Sequence, residues 1–131
     1  QKFISYFFKE EDYNMFLEKG KQFSNENISK NLNQTIWKTI KNQQQNNAEI
    51  YIVTASFQEW IINWSEKNKI QLITTELEII NNKISGNFKT KNCYGNEKVN
   101  RIKEKINLEK YDKVIVFGNG KGDYEMLQLR K

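Results

Sequence analysis

The sequence predicts an α/β protein, with parallel strands joined by helices, a β-hairpin among them, and a helical region ahead of both. Three observations carry that prediction. Short apolar runs rich in β-branched residues recur at Ile50–Tyr51–Ile52–Val53, Ile70–Gln71–Leu72–Ile73 and Lys113–Val114–Ile115–Val116–Phe117, as expected of strands covered on both faces. Between the first two runs, Phe57, Trp60, Ile61 and Trp64 fall at i, i+3, i+4 and i+7, the stripe of an amphipathic helix. Ahead of residue 48, apolar residues recur only at helical spacing.

Taken in order, Phe3, Ile4, Phe7 and Phe8 predict one helical cluster. The acids Glu10, Glu11 and Asp12 then suit the first turn of a second helix, which buries Tyr13, Phe16 and Leu17. Ser24 and Glu26 open a third, whose apolar face is Ile28, Leu32, Ile36 and Ile40 joined by Trp37. The strand at 50–53 ends in Thr54–Ala55–Ser56. The helix and strand that follow complete a βαβ unit, whose crossover is right-handed. Leu77, Ile79, Ile84 and Phe88 flank Asn81–Asn82, residues that tolerate turn geometry, so a β-hairpin is expected. Val99, Ile102 and Ile106 mark a helix that starts near Gly95, and residues 124–129 form the last one.

Composition narrows the function classes. The chain has 131 residues, 37% hydrophobic and 13% aromatic, enough for one domain with an aromatic-rich core. The net charge of +5 favours anionic partners. Its lysines are scattered, with no basic run interleaved with aromatics, so nucleic acid is not the expected partner. No apolar run approaches the roughly 18 residues of a membrane span, and no secretory signal is visible. One cysteine, Cys93, forbids an internal disulfide, and a cytoplasmic protein is expected. The absence of histidine removes a Ser–His–Asp triad and any base to activate Cys93. The chain opens on Gln1 rather than Met, and we expect it to begin partway into a longer product.

The chemistry is expected beyond the C-terminal ends of the parallel strands, where ligands bind in such sheets. Thr54 ends the first strand. Asn119 and Asp123 follow the last, in the run Gly118–Asn119–Gly120–Lys121–Gly122–Asp123, which holds three of the six glycines. Singly, each has a plain reading: a tight turn, a solvated Lys98, or a helix cap from Thr54 or Ser56. Together they offer a hydroxyl, a cation and hard oxygen donors, a set that suits a phosphoryl group.

Val53–Thr54–Ala55–Ser56, Asn92–Cys93–Tyr94–Gly95–Asn96–Glu97–Lys98–Val99 and Phe117 through Leu127 occur in that order. They resemble the second, third and fourth motifs of the haloacid dehalogenase-like hydrolases, in the phosphoserine-phosphatase-like branch. The resemblance implies a Rossmann-like core with helices on both faces over residues 48–131. A helical cap, of which residues 1–47 are the C-terminal part, would cover the site. It also implies Mg2+-dependent hydrolysis of a small phosphorylated metabolite through an aspartyl-phosphate. By motif match, Thr54 binds the transferring phosphoryl group, Lys98 offsets its charge and that of the nucleophile, and Asn119 and Asp123 hold the metal.

Two departures stand against this likeness. The family's first motif, Asp-x-Asp after a central strand, is absent: the aspartates are Asp12, Asp112 and Asp123. No nucleophile is therefore expected in this chain, and its first core strand is expected to be missing: that N-terminal segment of the same protein exists as a separate chain, was removed from a longer product, or is replaced by an altered assembly. The second departure is Asn119, where the family usually has aspartate. Both features leave open a non-catalytic relative that binds a phosphorylated ligand or a protein.

Overall fold

The computed structural model describes residues 8–131; the cluster expected at Phe3, Ile4 and Phe7 lies outside them. Helix α1 spans Tyr13–Phe23. Asp12 is its N-cap rather than part of its first turn, with Oδ1 accepting from the Met15 amide at 3.1 Å, so the acids stand ahead of the helix. Phe16 is its fully buried residue.

The single helix expected from Ser24 onward is not formed. The backbone continues from α1 into a π-helical segment, Ser24–Ile28, and a 3-10 turn, Ser29–Asn31, before extending at Leu32. Helix α2, Gln34–Gln45, restarts on Asn33, whose side chain accepts from the Ile36 amide at 3.1 Å. An asparagine that caps a new helix outcompetes the apolar step of four running through it. Trp37 of α2 packs on Trp64, with centroids 5.4 Å apart.

Strands β1 (Tyr51–Phe57) and β2 (Gln71–Thr75) pair in parallel, Tyr51 opposite Gln71 and Val53 opposite Ile73, with an irregularity between Val53 and Phe57. The crossover between them is a 3-10 turn, Gln58–Trp60, and helix α3, Ile62–Lys67. The amphipathic stripe is thus realised in two pieces. Strands β3 (Leu77–Ile80) and β4 (Lys83–Phe88) form the antiparallel hairpin. Asn81 and Asn82 turn it at φ of 51° and 59°, the left-handed conformations that asparagine tolerates best among residues with a side chain.

Helix α4, Asn96–Lys105, a 3-10 turn, Lys121–Asp123, and helix α5, Tyr124–Leu127, complete the elements that matter to the site. One apolar cluster, Phe16, Leu77 and Ile84, lies where α1 meets the hairpin. A second, Ile73, Cys93, Ile102 and Met126, joins β2 to α4 and α5, with Tyr51, Val53 and Val116 against it.

Residues 113–117 depart from expectation. They form no strand ladder among the described residues. Their backbone pairing is confined to Val114, which exchanges hydrogen bonds with Lys131. Val114 and Val116 are half-buried, whereas Ile115 and Phe117 are 43% and 46% exposed. A run expected to be covered on both faces is covered on one, and among the described residues no strand pairs beside it. The sheet edges show the same asymmetry. The outer carbonyls of β2 are capped by side chains of α4, Arg101 on Thr74 at 2.8 Å and Lys105 on Leu72 at 3.1 Å. Such charged caps close an edge to further pairing. The outer edge of β1 carries one such contact, at Val53. Among the described residues, no helix is long and apolar enough to cross a membrane.

Candidate active site

Lys98 lies in the first turn of α4 and is 7% exposed. A lysine so buried needs partners for its charge, and it has two. Its Nζ donates to Asp123 Oδ1 at 2.5 Å and to the Val53 carbonyl at 3.1 Å. Val53 precedes Thr54, so this ammonium joins the end of β1, the start of α4 and the turn before α5. An ammonium has three N–H donors, which leaves the third for an incoming acceptor.

Asp123 is fixed from the other side. Its Oδ2 accepts from the backbone amides of Asn119 at 3.2 Å and Gly120 at 3.3 Å. The Lys98 hydrogen bond is the main cause holding its carboxyl below the usual range, and the two amides add to it. Gly118 has no room for a side chain, since a Cβ would fall 2.6 Å from that of Asp123. The glycine-rich turn is therefore shaped around the carboxylate it presents.

The structure places the expected residues as follows. Lys98 and Asp123 touch. Asn119 joins them through its backbone, with its side chain exposed. Thr54 is linked through Val53, and its hydroxyl accepts from the Ser56 amide at 3.0 Å, a local turn rather than a helix cap. Cys93 is fully buried, and desolvation is the main cause pushing its thiol above the ordinary value, so it stays protonated. The Val53 carbonyl was not foreseeable, because a backbone oxygen leaves no residue-type signal. Two broader concavities, of about 620 and 520 Å³, lie elsewhere, one along α1 and one between α2 and α3.

Asn119 and Asp123 supply one amide and one carboxylate oxygen, donors of the hard kind that Mg2+ takes, and that ion retains several waters. No group of three or more acidic, Cys or His side chains suited to a metal occurs among the described residues. The chain therefore offers part of such a ligand set. A buried cation paired with a carboxylate beside the end of a parallel strand can offset the charge of an anion. The chain matches the haloacid dehalogenase-like hydrolases over residues 1–128 and belongs to that family. No curated protein and no solved structure gives a significant match.

Proposed function

We propose that this hydrolase is a Mg2+-dependent phosphomonoesterase of the phosphoserine-phosphatase-like branch, acting on a small phosphorylated metabolite. One observation carries the reading: the Lys98 ammonium, buried at the end of β1, is shared between Asp123 and Val53 with an N–H to spare. A phosphoryl group needs donors for its oxygens and positive charge to offset its own. Lys98 supplies charge and a donor, and Thr54 supplies a hydroxyl whose proton is free while its oxygen accepts from Ser56. Asn119 and Asp123 would hold Mg2+, which offsets phosphoryl charge when bound. Residues 1–47 serve as part of the cap and residues 48–131 as the hydrolase core.

The attacking carboxylate comes from elsewhere in this proposal. Asp12 is occupied as the cap of α1, and Asp112 is exposed next to the 113–117 segment. We place the carboxylate on a further strand, upstream in the protein or on a separate chain, that pairs between β1 and residues 113–117. The exposed Ile115 and Phe117 and the nearly uncapped edge of β1 support that position. Such a carboxylate would attack phosphorus, displace the alcohol and form the aspartyl-phosphate that water then hydrolyses.

A phosphate-release assay on the full-length protein with a panel of phosphomonoesters tests this. The expected result is Mg2+-dependent release that falls at least about 100-fold in Lys98→Met, the scale seen when one charge-stabilising donor is removed. Saturable phosphate binding without turnover of any ester would favour the second reading, a non-catalytic phospho-ligand binder. The neutral amide of Asn119 at a metal position is the observation that favours it.

A further inference from the structure

We propose that Tyr94 is a specificity-determining residue of this site, its free ring face stacking on the leaving group of an aromatic phosphomonoester, an aryl or nucleoside phosphate. The inference rests on the phosphoryl reading of Lys98 and Asp123 and adds the class of group attached to the phosphoryl. It starts from how the ring is held. A Cβ on Gly122 would fall 2.5, 2.6 and 3.0 Å from three ring atoms of Tyr94, so the ring lies directly on the backbone of Gly122, one residue before Asp123. Only glycine leaves room for that approach. The Gly95 amide donates to the Gly122 carbonyl at 2.9 Å, clamping the turn that carries Tyr94 to the loop that carries Asp123. Lys98 follows four residues later and contacts the same Asp123. The ring is thus positioned from both sides of the Lys98–Asp123 pair.

The rest of Tyr94 is left open. The residue is 54% exposed although one side of its ring rests on Gly122. Its hydroxyl makes no hydrogen bond and its ring meets no other aromatic ring among the described residues. With the phosphoryl oxygens turned toward the buried Lys98, the ester oxygen and its substituent would face solvent, the side on which Tyr94 is exposed. Tyr124, next to Asp123 in sequence, is 66% exposed as well. A planar leaving group gains an offset stack there worth about 2- to 12-fold in affinity, whereas an alkyl group gains only the area it covers.

The test is equilibrium binding to the full-length protein, in the presence of Mg2+, of benzylphosphonate, propylphosphonate and benzyl alcohol. Benzylphosphonate is expected to bind about fivefold more tightly than propylphosphonate, with benzyl alcohol the weakest. Tyr94→Phe keeps that ratio, because the face and not the hydroxyl makes the contact. Tyr94→Leu brings the ratio to about one, and Gly122→Ala lowers it while Tyr94 is still present, by pushing the ring off its seat. Thermal melting of Tyr94→Leu within about 1 °C of the parent separates a binding role from a structural one; a loss of folding would be met by reading the Tyr94→Phe and Gly122→Ala pair alone. Equal binding of the two phosphonates would overturn the role of Tyr94 and leave the phosphoryl site standing. Absence of saturable binding of either phosphonate by the full-length protein would overturn both.

Discussion

Lys98 and Asp123 contribute to stability as well as to the site, and their geometry fixes the sign. Asp123 is held ionised chiefly by the Lys98 hydrogen bond, so its folded pKa lies below the unfolded one. The stability it contributes is present above the unfolded pKa and is lost as pH falls through the folded one. Replacing Lys98 by Met removes the cation from a carboxylate whose side chain is only 16% exposed, and we expect a loss of about 1.5–3 kcal/mol at neutral pH. Urea unfolding across pH checks this: the variant should have lost the part of the acid-side decline that belongs to Asp123. Asn119 yields a second expectation. Asn119→Asp adds a carboxylate beside Asp123 and should tighten Mg2+ binding about tenfold, read by calorimetry; an unchanged titration would show that the position is not a ligand.

At the scale of elements, the seat of α1 is a tightly constrained contact. Gly20 of α1 lies so close to the 58–60 turn that a Cβ would sit 2.1 Å from the Glu59 carbonyl oxygen. In an exposed helix, Gly→Ala would stabilise by about 1 kcal/mol. Here the obstacle is backbone, which cannot swing aside, and overpacking costs about 1–3 kcal/mol or more. The clash wins, and Gly20→Ala should lower the melting temperature. Glu59 itself is 4% exposed and has one carboxylate oxygen with no partner, while Tyr13 of α1 donates to the other at 3.2 Å. Burial is the main cause raising its pKa, and the nearby charge of Glu76 adds to it. Tyr13, pushed up to about 12 by burial and then by Glu59, remains a donor throughout. A carboxyl whose folded pKa is raised favours the fold fully below its unfolded pKa, and that stability fades as pH rises through the folded value. Glu59→Gln, which keeps an acceptor for Tyr13 without the charge, should flatten this decline in melts taken upward from the ordinary carboxylate range. A decline of equal depth in the variant would assign it to another group.

For the whole molecule, the sequence was most informative where one local rule acts alone. The Asn81–Asn82 turn and the start of α4 after Gly95 are set by backbone preference, and both are where the residues indicate. The break at Leu32–Asn33 is different, because a face of Ile28, Leu32, Ile36 and Ile40 reads as continuous while Asn33 caps a new helix within it. The exposure of Ile115 and Phe117 was likewise invisible in an apolar run, since burial depends on what packs over that face. The site was legible as residue types in order, from Thr54 to Lys98 to Asn119 and Asp123. The contact that unites it spans 25 positions in sequence, and its third member is a main-chain carbonyl. Neither fact has a signature in the residues. Further up in scale, a strand paired beside β1 should protect the amides of 115–117 from hydrogen exchange; in this chain alone they should exchange rapidly, in contrast to the paired Val114.

Whether the Lys98–Asp123 rim binds a phosphoryl group is read most plainly by titrating the full-length protein with inorganic phosphate and Mg2+ and following amide chemical shifts. Saturable shifts are expected, within residues 1–131, only at 53–56, 95–98 and 118–123, and they should disappear in Lys98→Met. Saturation with shifts centred elsewhere, or none at any concentration with the fold intact, would contradict that binding.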